Sequence, residues 1–95
     1  MIFEWDREKD ERNQQTRDVS FALAAEVFDD AYRLTFEDVR YAYGEQRFIT
    51  FGHIARRLFC VVYTMRDETI RIISARKANK KELNRYVSHL LQRSE

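Results

Sequence analysis

Residues 69–86 read TIRIISARKANKKELNRY, and the fold turns on how that stretch divides. Ile70, Ile72 and Ile73 have the β-branched shape that packs on a pleated sheet, so a strand is predicted over Thr69 to Ala75. Asn79 and Glu82 then stand three apart, the spacing of a capping box, and Leu83, Val87, Leu90 and Leu91 supply the apolar stripe of a C-terminal helix. Just before the strand, Leu58 to Met65 is almost wholly apolar and reads as a central strand. Arg66-Asp67-Glu68 is short enough to be a hairpin connection, so these two strands should pair antiparallel.

Outward from that hairpin the same logic orders the rest of the chain. Tyr32, Leu34 and Phe36 alternate with polar residues, and Glu45 to Phe51 forms another strand after a turn at Gly44. Ile2 to Trp5 reads as a short first strand, with Asp6 as N-cap of the helix that follows. REKDERNQQT contains no large apolar side chain, so this helix must rest on Trp5, its caps and ion pairs such as Glu8 with Arg12. Ser20 caps a second helix whose Phe21, Ala24, Ala25 and Phe28 follow the i, i+3, i+4, i+7 spacing, and Asp29-Asp30 ends it. The class is therefore α+β: a short N-terminal strand, two helices, a three- to four-stranded antiparallel sheet covered on one face, and a C-terminal helix. With 95 residues, no proline and no low-complexity tract, one small domain over 1–95 is expected.

Charge is informative only by region. From Arg71 onward seven Lys/Arg face Glu82 and Glu95, a net of +5, whereas residues 1–70 carry −4. A polyanion would feel that local field, which falls off over about 8 Å at physiological salt; a merely solvated basic helix has the same composition. No apolar run approaches the ~20 residues of a membrane span, and the first residues lack a signal-peptide core, so a cytoplasmic protein with no membrane association is expected. The one cysteine, Cys60, lies in LFCVVY and reads as a small buried hydrophobe. Two scattered histidines and the absence of HExxH argue against a metal hydrolase, and no cofactor is implied.

Several segments taken together resemble one family. FEWD at 3–6, Lys9 and Asn13, VSF at 19–21, VFDD at 27–30, GEQRFITFG at 44–52, VVYT at 61–64 and RIISARKANKKE at 71–82 are similar to the BrnT toxins, RelE-like ribonucleases of type II toxin–antitoxin systems. The resemblance implies a RelE-like fold, RNA cleavage that arrests translation, and neutralisation by a BrnA-type antitoxin. That partner's ribbon-helix-helix domain would bind operator DNA, and a 2:2 complex is expected because the DNA-binding fold works as a dimer. One departure stands out: where the family has Lys-His-Gly before VSF, this chain has Thr16-Arg17-Asp18. A guanidinium stays protonated at neutral pH, so Arg17 cannot take over proton transfer from a histidine, although it can bind phosphate.

Metal-independent RNA cleavage sends the 2′-hydroxyl against the adjacent phosphorus, and the site must stabilise the charge of a phosphorane. Arginine forks suit that task, so Arg47, Arg71 and Arg76 are the catalytic candidates, with Glu45 as a candidate base. Regular strand alternation puts Arg71 and Arg76 on opposite faces; they share a site only after a bulge or beyond the strand end. Lys9, Asn13, Arg17, Lys77, Lys80 and Lys81 are candidate RNA contacts. His53, after Gly52 in an expected turn, and His89, beside the last apolar stripe, read as a solvated and a boundary residue. Tyr63 and Tyr86 can donate through their hydroxyls, although aromatics at such positions are usually core. The competing class is a non-catalytic module whose basic face only holds an antitoxin or RNA.

Overall fold

The computed structural model describes residues 1–93. Its elements run β1 (Ile2–Trp5), α1 (Arg7–Arg17), α2 (Phe21–Ala24), a 3₁₀ turn (Ala25–Asp29), β2 (Leu34–Asp38), β3 (Arg47–Ile54), β4 (Arg57–Arg66), β5 (Thr69–Lys77) and α3 (Lys80–Arg93). The sheet has five strands in the order β1-β5-β4-β3-β2. β2 through β5 form the antiparallel meander expected from the two-residue periodicity, and the hairpin turns through Asp67, whose φ of 56° is left-handed. β1 corrects the expected strand count: it joins the sheet by pairing parallel with β5, from Ile2 opposite Thr69 to Trp5 opposite Ile72. The sheet is therefore mixed.

Both faces are covered, not one. Phe59, Val61, Tyr63, Ile70, Ile72 and Ala75 point to the face that buries Val19, Phe21, Ala24, Val27 and Phe28. Ile49, Phe51, Leu58 and Cys60 point to the other, against Ala78, which precedes α3, and Tyr86 in its middle. On the first face the predicted second helix tightens to 3₁₀ after Ala24, and its Val27 packs hard on β3. A Cβ on Gly52 would lie 2.7 Å from the Val27 carbonyl oxygen, so only glycine lets the turn sit this close.

α1 needs a different explanation, because its sequence offers no apolar stripe. Asp6 caps it by accepting from Lys9 N–H at 3.0 Å, and Arg7 pairs with Glu11, not Glu8 with Arg12 as expected. Its principal anchor is Asn13, which is buried: the side-chain amide donates to Val19 O (2.7 Å) and Ala75 O (2.9 Å), and its oxygen accepts from Ala75 N–H. β1 ends opposite Ile72, so the edge of β5 beyond that point lacks a strand partner, and the Asn13 carboxamide supplies one. Asn13 is thereby a structural residue whose polar atoms are already bonded, and the expectation that it faces RNA is corrected.

α3 is also rotated from its expected setting. Tyr86 is buried and Leu90 packs beside it, whereas Leu83, Val87 and Leu91 are 38%, 42% and 63% exposed. The rotation follows from polar ties at residues 82 and 86. Glu82 receives Arg76, and the Tyr86 hydroxyl donates to Asp30 at 2.6 Å. Among the described residues no helix is long and apolar enough to cross a membrane.

Candidate functional site

A bulge in β5 decides which arginines share a face. Val62 pairs with Ser74 but Tyr63 pairs with Ile72, so Ile73 is an extra residue without a partner on β4. The insertion resets the alternation: Ile70, Ile72 and Ala75 enter the first core, while Arg71, Ser74 and Arg76 emerge together on the second face. Arg47 also belongs to this face, being adjacent to inward-packed Phe48 and paired with Thr64.

Sharing a face is not sharing a site. A cleft of about 320 Å³ lies between the sheet and α3, floored by Phe36, Ile49, Phe51, Cys60 and Val62. Arg17, Arg40, Arg76 and Arg85 rim it together with Ser74 and Glu82. Arg71 and Arg47 both sit opposite Thr64, four residues along β4 from the Cys60 that faces Arg76. At about 3.3 Å per residue that is roughly 13 Å away. There Arg71 faces Glu4 at 3.6 Å, and Arg47 pairs with Glu45 at 3.2 Å while its guanidinium lies 4.0 Å over the Tyr43 ring. Of the candidate catalytic set only Arg76 lines the cleft.

The four cleft arginines fall into two kinds. Arg76 makes a two-pronged pair with Glu82, Nη1 to Oε1 at 2.7 Å and Nη2 to Oε2 at 2.8 Å. The same carboxylate completes the capping box of α3: Asn79 N–H donates to Glu82, and Glu82 N–H donates to the Asn79 side chain. Arg76 therefore holds Glu82 below its ordinary value, and Glu82 in turn raises Arg76. Arg40 is fixed likewise, two-pronged at 2.8 Å on Asp38, whose carboxylate also accepts from Tyr43 OH. The Arg40 bonds and then the Tyr43 bond depress the Asp38 pKa strongly. By contrast, among the described residues no carboxylate pairs with Arg17 or Arg85. Two arginines are held in place and two present unneutralised charge.

The remaining predicted contacts are dispersed. Lys9 borders a shallow depression with Arg12, Thr16 and Arg17 that leads from α1 toward the cleft. Lys80 lies with Arg56, Arg57 and Leu83 in a separate depression at the start of α3, Lys81 is exposed, and Lys77 pairs opposite Phe59, hence on the other face from Arg76. His53 is within β3, not a turn: its N–H donates to Asp30 at 2.8 Å and its ring packs edge-on against Tyr86. Tyr63 OH is bonded to Thr50 in the first core. Burial pushes the Cys60 thiol up to about 11, which makes it an inert floor residue. Among the described residues no group of three or more His, Cys, Asp or Glu side chains could hold a metal ion.

The sequence reading missed Phe36, Arg40, Glu82 and Arg85 as parts of one site. Glu82 and Arg85 were discoverable, since residues three apart share a helix face. Arg40 was not, because it reaches the cleft through an irregular loop turned by Asp38.

A family model described as the ribonuclease toxin BrnT of type II toxin–antitoxin systems matches residues 5–82. The chain belongs to the BrnT family. The matched span includes every residue of the cleft except Arg85. BrnT ribonuclease toxins act within toxin–antitoxin pairs, so RNA is the substrate class and a protein antitoxin the partner that membership implies. Comparison with curated protein sequences finds no match for this chain.

Proposed function

We propose that this BrnT-family chain is a metal-independent endoribonuclease of RelE-like type whose cleft between the sheet and α3 binds and cleaves RNA, inhibiting translation and growth in the cytoplasm. The observation that carries this reading is the pairing of rigid Arg76 with unneutralised Arg17 and Arg85 over one apolar floor. A phosphodiester entering the cleft meets excess positive charge from Arg17 and Arg85. Arg76, already oriented by Glu82, has a third donor in Nε for an oxygen whose charge grows as the 2′-hydroxyl attacks phosphorus. Arg47 and Arg71, further along the same face, extend the cationic path for the RNA on either side of Thr64. Glu45 is tied to Arg47 outside the cleft, so it serves as that arginine's counter-ion and not as the base.

One observation favours the second reading, a BrnT-like module that binds an antitoxin or RNA without cleaving. No imidazole or tyrosine lines the cleft among the described residues, and its only carboxylate, Glu82, is held ionised by Arg76. Induction of the chain alone separates the two. Active toxin arrests growth and translation, Arg76→Ala relieves the arrest, and purified protein cleaves RNA undiminished in EDTA. Unchanged growth with soluble, folded wild-type protein leaves the binding module as the function.

The partner is proposed to be a BrnA-like ribbon-helix-helix antitoxin in a 2:2 complex, which alone contacts operator DNA. An acidic segment of that protein laid over the cleft would neutralise Arg17 and Arg85 and exclude RNA. Co-expression and size measurement test it: one particle of two chains of each kind is expected, and separate elution at micromolar concentration contradicts it.

A further inference from the structure

The floor of the cleft has a chemistry that phosphate binding alone does not need. Phe36 on β2 packs against Phe51 with ring centroids 5.8 Å apart, and it remains only partly buried at the cleft surface. Over its ring stands the guanidinium of Arg85, 4.7 Å from the centroid. Arg85 is exposed and has no carboxylate partner among the described residues, so nothing ionic opposes its lifting from the ring. Ile49 and Val62 continue the apolar floor beside it. A flat apolar face covered by a flat, displaceable cation is a stacking platform: nucleobases stack on aromatic rings and on guanidinium planes, and both kinds of surface are here a few ångströms apart.

We infer that Phe36 and Arg85 form a base subsite that takes one unstacked nucleobase of a single-stranded RNA, seating the neighbouring phosphate among Arg17 and Arg76. The inference rests on the ribonuclease reading and deepens it by naming the substrate as single-stranded. Bases inside a duplex have their faces covered by their neighbours, so a paired region cannot occupy the platform without being opened. Because every base has a π-face, the subsite confers a requirement for an unpaired base before it confers a choice among bases.

The test uses the full chain and a short oligoribonucleotide made non-cleavable by 2′-O-methylation, carrying one 2-aminopurine that is moved along the strand. The expected result is strong fluorescence quenching at one position, with Phe36→Leu and Arg85→Ala each weakening binding by about tenfold or more and abolishing the quench. The same oligonucleotide annealed to its complement should show no added quench. Arg85→Ala lies on the helix surface and leaves the core intact, so it decides the matter even where Phe36→Leu fails to fold. Unaltered affinity and quench in Arg85→Ala overturn the subsite. Cleavage by wild type and by Arg76→Ala, measured in parallel on unmodified RNA, reports on the underlying reading: loss in Arg76→Ala with the quench unaltered in Arg85→Ala condemns the subsite alone, whereas undiminished cleavage by Arg76→Ala condemns the catalytic cleft.

Discussion

Arg17 and Asp18 occupy the two positions where this chain departs most tellingly from the Lys-His-Gly that its resemblance leads one to expect, and the structure gives each a separate meaning. Arg17, last residue of α1, lines the cleft, so a permanent charge stands in the site where the resemblance implies a titratable ring. With catalysis resting on charge stabilisation, Arg17→His should change the cleavage rate at pH 7 by less than about tenfold, while Arg76→Ala loses about 10²–10³ in rate. A gain of about 10²-fold or more from Arg17→His, accompanied by a new inflection near pH 6.5 in the rate profile, would show that proton transfer had been limiting. Asp18 concerns stability instead. It caps α1 in the left-handed region at φ 58°, its N–H bonded to Gln14 O, which is the conformation where glycine has no steric cost. Asp18→Gly should therefore raise stability by about 1 kcal/mol in urea denaturation without altering cleavage.

At the scale of elements, the sequence was most legible where a period repeats and where local capping chemistry fixes an end. β2 to β5 follow the two-residue alternation, and the caps at Asp6, Ser20 and Asn79 all bond as their spacing predicts. Three things were not legible, each for a physical reason. The pairing of β1 with β5 depends on residues 67 apart in sequence, which no local window contains. The bulge at Ile73 is invisible in a run where Ile72 and Ile73 are both good strand formers. The setting of α3 is governed by polar ties and not by its apolar count, so the leucine stripe misdirected the reading. Two measurements follow. Tyr86→Phe removes a hydrogen bond to the ionised Asp30 and should cost about 2 kcal/mol, with faster amide exchange confined largely to α3. Gly52→Ala forces Val27 off β3 and should cost about 1–3 kcal/mol, read as a lower urea midpoint with unchanged helix content.

For the whole molecule, the three polar knots that position the second face share one dependence on pH. Burial opposes ionisation of Asp30, but bonds from His53 N–H, Tyr86 OH and Tyr32 N–H still hold it below its ordinary value. Asp38 and Glu82 are lowered by Arg40 and Arg76. A carboxylate whose pKa is depressed on folding stabilises the folded state above its unfolded pKa and loses that contribution as pH falls through the folded value. Stability should thus be level from about pH 7 to about pH 5 and decline below about pH 4, and Asp38→Asn should flatten part of the decline, as measured by urea unfolding across that range. The seam between β1 and β5 has a consequence of another kind, in time. Ile2 waits for Thr69, and Asn13 for Ala75, before either can dock, while Arg17 faces an arginine that is synthesised 59 residues later. A chain emerging from the ribosome holds its first helix without the strand edge that seats it until β5 has been made, and contacts of such long sequence separation are the slow ones to form. A chain of this ribonuclease-toxin family is in this way unable to assemble its cleft during most of its own synthesis.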